Sequence, residues 1–199
     1  MSPDLWLAAS LFALVSLVTP GPNNTMILTS GVNFGLRRTL PHLLGICIGF
    51  GLMQMLVGLG LHKLLGQYPI ALELLRYVGG TYMLWLAWKL ASSRTAPGEA
   101  IGRARPLGFW AAAAFQWVNP KAWVMCMTAM SAYLPADAST LQVLLLGSLF
   151  TLLGLPCVGA WAAFGSSMRQ FLQHPLKLRI FNNAMALLLV ASLVPMLMT

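Results

Sequence analysis

The seven residues Thr19-Pro20-Gly21-Pro22-Asn23-Asn24-Thr25 interrupt an apolar stretch that begins at Leu5 and continues past Met26. No α-helix runs unbroken through them. Pro20 and Pro22 have no backbone N–H, and their rings crowd the preceding turn. Gly21 between them can adopt backbone angles that other residues avoid. In water such a segment is an ordinary loop between two shorter helices. In a bilayer the freed backbone groups have no lipid-side partner, so a break survives only where protein buries it or where it lines a water-filled cavity. It then leaves polar half-helix ends at membrane depth, where a small zwitterion can bind.

Composition selects the membrane reading. The chain has 199 residues, 58% of them hydrophobic and 8% charged, where soluble domains average about 25% charged. Its carboxylates are Asp4, Glu73, Glu99 and Asp137. We read an integral membrane protein, all-α, as a single transmembrane domain over residues 1–199. The net charge of +8 does not point to nucleic acid, because the basic residues lie mainly in the connections between apolar runs. Cys47, Cys126 and Cys157 fall inside apolar runs and read as small packing residues rather than a disulfide framework. No cleavable signal peptide is expected, since the first basic residue is Arg37.

Six apolar spans can be drawn, at about 5–27, 40–61, 69–91, 107–134, 140–165 and 179–198, each near or above the roughly 20 residues that cross a bilayer. The first is expected to continue as a second half-helix toward Phe34. Basic residues alternate between connections. Arg37 and Arg38, then Lys89, Arg94, Arg103 and Arg105, then Arg169, Lys177 and Arg179 mark the odd connections; Lys63 and Arg76 mark the even ones. This bias puts the odd connections in the cytoplasm and both termini in the periplasm.

The chain also reads as duplicated. Pro20 matches Pro120, Gly45 matches Gly147, and Arg76-Tyr77-Val78-Gly79-Gly80 matches Arg179-Ile180-Phe181-Asn182-Asn183, with slowly drifting offsets. Three spans per half force the second half to enter from the opposite side. The expected architecture is therefore two inverted three-helix repeats, about 1–91 and 107–199, joined by a cytoplasmic linker at about 92–106 that contains Ala96-Pro97-Gly98-Glu99.

The second break is Asn119-Pro120-Lys121, inside the run from Leu107 to Leu134. A lysine there either faces a cavity or a partner, or marks an interfacial helix end from which it snorkels. Gln54 and Gln116 lie within spans and read equally as cavity lining or as helix–helix hydrogen bonding. The glycines Gly45, Gly49, Gly51, Gly58 and Gly60 crowd the second span and read as close helix packing. His42 reads as an interfacial histidine or a proton handler. His62 and His174 read as solvated, and Glu73 as a local partner of Arg76.

Thr19-Pro20-Gly21-Pro22-Asn23, then Gly35-Leu36-Arg37, then Asn119-Pro120-Lys121, together with Tyr82-Met83-Leu84-Trp85-Leu86-Ala87-Trp88-Lys89, resemble the LysE/RhtB family of amino-acid exporters. The likeness covers essentially the whole chain. Within the family, Thr19 to Asn24, Trp85 to Lys89, and Phe109-Trp110 with Gln116-Trp117-Val118-Asn119 are most similar to the cysteine/O-acetylserine exporters. The resemblance implies export of small amino acids or derivatives across the bacterial inner membrane, driven by protons. Direction and driving ion come from the resemblance alone. An intramembrane enzyme and a small-solute channel are the rival classes. The first lacks a nucleophile with a positioned base or a cluster of metal ligands; the second needs a ring of filter groups.

The expected substrate-binding residues are Thr19, Pro20, Gly21, Pro22, Asn23, Asn24, Gln116, Asn119, Pro120 and Lys121. No carboxylate lies deep in a span, so His42, Lys121 or the substrate's own amine would carry the proton. No cofactor or metal is expected. The lipid bilayer, protons and an amino acid are the expected partners, with homo-oligomerisation left open.

Overall fold

The computed structural model describes residues 2–61, 69–93, 105–135 and 137–193, and these are helical with no strand. Helix α1 spans Pro3–Val18. Ser2 caps it by accepting from the Leu5 N–H at 3.3 Å, with Pro3 at the first position and Asp4 in the first turn. The helix ends where Pro20 would have to continue it. Helix α2, Pro22–Phe34, starts on Pro22 after the extended Gly21 and leaves α1 at 53°. Gly35 then holds φ 77°, a left-handed value suited to glycine, and the chain turns directly into α3, Leu36–Leu56. A π-helical extension, Val57–Leu61, contains Gly60 at φ 126°. Helix α4 is Pro69–Ser92. Helix α5 is only Phe109–Phe115 and passes into a 3₁₀ turn, Gln116–Val118, before α6, Pro120–Tyr133. Helix α7, Thr140–Met168, opens with a reciprocal capping box between Ser139 and Gln142. Helix α8 is Pro175–Ala191.

Among the described residues two helices, Leu36–Leu61 and Thr140–Met168, are long and apolar enough to cross a bilayer, and the bent pair α1–α2 makes a third. The helices at the other three expected spans do not meet that measure within the described residues. Glu73, Arg76 and Lys89 dilute α4. The Asn119-Pro120 break divides the fourth run into α5 and α6. Helix α8 has 17 residues.

The long α7 is the spine. A side chain on Gly31 of α2 would run into the Ala162 carbonyl, and one on Gly165 of α7 into the Leu28 carbonyl, so these helices cross backbone to backbone. Gly51 of α3 packs on Gly147 and Thr151 of α7, and Gly45 and Gly49 pack on Phe109, Ala112 and Ala113 of α5. Gly58 packs on Val143 and Met130, while the space beside Gly60 is open. Phe50, Phe150, Met53, Leu146 and Cys126 share one buried cluster; Ile27, Ile46, Cys47 and Val158 share a second. Cys47, Cys126 and Cys157 are buried and free.

The described ends of the odd connections gather at one end of the bundle. Leu172, after α7, packs on Leu28 and Val32 of α2, and Asn182 of α8 donates to the Ser93 carbonyl at 3.1 Å. Trp6, Leu61, Tyr133 and Leu134 pack against the cluster that contains Phe50 and Phe150, where Phe12 of α1 meets Tyr133 of α6. The proposed linker residues 96–99, His62 and the side chain of Arg76 lie outside the described residues. His174 is exposed, at the cap of α8.

Candidate functional site

The two breaks meet, and lysine joins them. Lys121, in the first turn of α6, donates from Nζ to the Thr19 carbonyl at 2.6 Å and to the Pro20 carbonyl at 3.2 Å. Those oxygens follow the C-terminal end of α1, where the helix dipole favours a cation. The lysine read from the sequence as facing a cavity or partner, or marking an interfacial helix end, has these carbonyls as partners. Asn24, 3% exposed, donates from Nδ2 to the carbonyls of Leu17 at 2.8 Å and Thr19 at 2.9 Å. Trp161 of α7 donates from Nε1 to the Val18 carbonyl at 3.2 Å. The carbonyls stranded by Pro20 are therefore held by side chains from α2, α6 and α7.

The second break is closed by its own neighbours. Asn119 accepts the Lys121 N–H on Oδ1 at 3.1 Å, capping α6. Gln116, fully buried, exchanges two hydrogen bonds with Asn23. It accepts from Asn23 Nδ2 at 2.8 Å and donates to Asn23 Oδ1 at 3.1 Å. Its Nε2 also donates to the Ala112 carbonyl at 2.9 Å. A lone buried amide would cost free energy; two facing amides satisfy each other.

A cavity of about 30 Å³ lies between the breaks, room for a water or two. Gly21, Pro22, Asn23, Asn24, Asn119 and Lys121 line its polar side, with Ser16 of α1. Ile46, Phe50, Met125, Phe150 and Val158 line the apolar side. Several groups here retain hydrogen-bonding capacity. The N–H groups of Asn23 and Asn24 lie in the first turn of α2, where no helical carbonyl reaches them. Asn119 Nδ2 has no hydrogen-bond partner among the described residues. The lysine ammonium has three donors, two of them engaged.

Six of the ten residues singled out in the sequence thus line this cavity. Thr19, Pro20 and Pro120 instead line a depression of about 270 Å³ on the far side of the break, where Lys121 also reaches. Gln116 lines neither and ties the breaks together. His42 stands apart. It is 2% exposed, with Nδ1 3.2 Å from Ser30 Oγ. Ser16 and Trp161 escaped the sequence reading. Ser16 carried no signal, whereas an indole in an apolar helix needs an acceptor and could have been flagged. No group of His, Cys, Asp and Glu among the described residues could hold a metal ion.

Apolar helices of membrane-crossing length, with two proline breaks joined in their interior, define a multi-pass membrane protein. The chain belongs to the LysE type translocator family, whose model matches residues 14–194. Members of this family are translocators, not enzymes. The chain is 35% identical over 192 residues to a cysteine/O-acetylserine efflux protein of Salmonella typhimurium strain LT2, covering 96% of each chain. It is 36% identical over 193 residues to a cysteine/O-acetylserine efflux protein of Escherichia coli strain K12, again over 96% of each. No solved structure matches.

Proposed function

We propose that this protein exports cysteine, O-acetylserine or similarly small neutral amino acids across the bacterial inner membrane. The observation that carries the proposal is the meeting of two helix breaks around Lys121, in a chain whose relatives over nearly all their length are efflux proteins. The substrate carboxylate binds the free N–H groups at the start of α2, with Asn119 and Lys121 beside them. The amine binds carbonyls of the α1 end and the Asn24 side-chain oxygen. The cavity must widen to admit the substrate, and it does so by alternating access between the two faces.

The halves 1–91 and 107–199 act as inverted repeats joined by a cytoplasmic linker. The start of α2 on Pro22 and of α6 on Pro120, each just past a break, supports this pairing. Both termini face the periplasm, supported by the basic bias of the odd connections. Export is coupled to protons through His42, Lys121 or the substrate amine.

The test is transport of labelled cysteine in proteoliposomes, with and without an imposed pH gradient. Saturable, gradient-dependent flux is expected. Asn24→Ala and Asn119→Ala should abolish it while the purified proteins remain monodisperse. Flux that does not saturate would make the protein a channel. His42→Gln should impair gradient-driven transport more than exchange; equal impairment of both would remove His42 from the coupling step.

A further inference from the structure

Helix α2 separates two cavities. Asn23 and Asn24 face the small central one, while Thr25 and Thr29, one turn apart on another face, line a cavity of about 270 Å³. The larger cavity lies at the end of the bundle where the odd connections gather, bounded by Phe34 at the end of α2 and Ser93 just past α4. Its lining carries two cations, Lys89 and Arg105. Neither has a carboxylate partner among the described residues; Lys89 Nζ lies 4.8 Å from the Trp85 ring centroid. Ser30 and His42 line it too. His42 Nδ1 is occupied by Ser30, but its buried Nε2 has no hydrogen-bond partner. A buried ring nitrogen left unmatched costs free energy unless something else bonds it.

We infer that this cavity is a second recognition site. Lys89 and Arg105 take the carboxylate of the amino acid there, and His42 Nε2 and the hydroxyls of α2 take its remaining polar groups, before it crosses α2 to the central cavity. The inference rests on the proposed export function. Size supports the order of events. The outer cavity holds an amino acid as it stands, whereas the central one holds a water or two. Composition supports the ligand class: two cations and hydroxyls with no opposing carboxylate among the described residues suit a small carboxylate better than a cation.

The same cations could hold a lipid phosphate, so the experiment separates the sources. Inside-out vesicles, in which the cytoplasmic face is outside, are assayed for concentrative uptake of labelled cysteine. Lys89→Met and Arg105→Gln, singly and together, should raise KM about 10-fold or more with Vmax nearly unchanged. Lys89→Arg should keep the parental KM, and melting profiles in detergent confirm that the variants fold. Binding of labelled cysteine is then measured in nanodiscs of phosphatidylcholine, with and without phosphatidylglycerol. Two sites per chain are expected in both, and the double variant should keep one. An unchanged KM in the folded double variant overturns the inference. So does loss of the second site whenever phosphatidylglycerol is present, which would make the cavity a lipid site. Failure of the parent to transport or bind any amino acid would instead overturn the export function itself.

Discussion

The contact between Gly21 and Lys121 allows a test of whether the two breaks are energetically one unit. Gly21 has φ 178°, an extended value that any residue adopts, so Gly21→Ala introduces no backbone strain. What it introduces is a collision. A Cβ there would lie 2.8 Å from Lys121 Cδ and 3.1 Å from Nζ, whereas carbon atoms pack at about 3.5–4.0 Å. The lysine stem must therefore retreat by roughly 0.7 Å or more. Its Nζ is held at 2.6 Å by the Thr19 carbonyl and at 3.2 Å by the Pro20 carbonyl. A bond to a charged group contributes about 1.5–3 kcal/mol, so losing one sets the cost of Gly21→Ala. For a chain of this size that lowers the melting temperature by about 3–12 °C.

The decisive comparison uses Lys121→Ala, which removes the stem. In that background Gly21→Ala has nothing to strike and should cost under about 0.5 kcal/mol. The cycle therefore predicts a coupling of about 1–3 kcal/mol between two positions 100 residues apart. Melting followed by tryptophan fluorescence, in one detergent at one scan rate, measures all four proteins. Equal costs of Gly21→Ala with and without the lysine would falsify the reasoning: the loss would then come from the backbone of the first break alone.

Asn23 and Gln116 should form a second coupled pair. Either alanine substitution strands a buried amide and should cost about 1–3 kcal/mol, while the double variant should lose clearly less than the sum; additive melting shifts would refute the pairing. Gly165→Leu should block the crossing of α2 and α7 and prevent a monodisperse product on size exclusion, whereas Gly108→Leu, at an open position, should not; similar profiles for both would refute the close crossing. Reporter fusions at residue 98 and at the C-terminus should read cytoplasmic and periplasmic respectively; a cytoplasmic C-terminus would reverse the proposed topology.

The breaks were legible because proline acts locally. Proline alone does not decide it, since Pro41 and Pro156 lie inside continuous helices; Pro20 and Pro22 flank Gly21, Pro120 follows the capping Asn119, and the structure starts helices on Pro22 and Pro120. The family was legible for a related reason: its motifs sit on those breaks. What the amides do was not legible. Asn23 and Gln116 are 93 residues apart, and only the packing of α2 against the 3₁₀ turn brings them together. A list of polar residues near a break cannot separate those that bond each other from those left to bond a ligand. The same limit applied to His42. Hydropathy placed it near the start of a span, but Gly35 lets α3 begin at Leu36, so His42 falls nearly two turns inside it and is buried. The division of the 107–134 run was legible for the same local reason: the Asn119-Pro120 break splits it into α5 and α6.

The way the central cavity is satisfied bears on what a translocator there can do. A site lined by unpaired charges would bind a zwitterion tightly and release it slowly. Here the break is already internally paired: Lys121 holds the Thr19 and Pro20 carbonyls, and Asn24 holds those of Leu17 and Thr19. On the proposed function, an arriving amino acid adds the free N–H groups of α2 to its carboxylate and otherwise exchanges partners at the lysine. Its carboxylate draws the lysine ammonium from the carbonyls, and its amine takes the lysine's place on them. Charge is conserved at each step, since one carboxylate meets one ammonium and one ammonium meets the dipole end of α1. Such an exchange leaves a small net free energy although each contact is strong. Weak net binding with strict geometry permits release on the far side. It also gives an empty carrier a satisfied resting state, in which Lys121 itself occupies the place of the substrate amine.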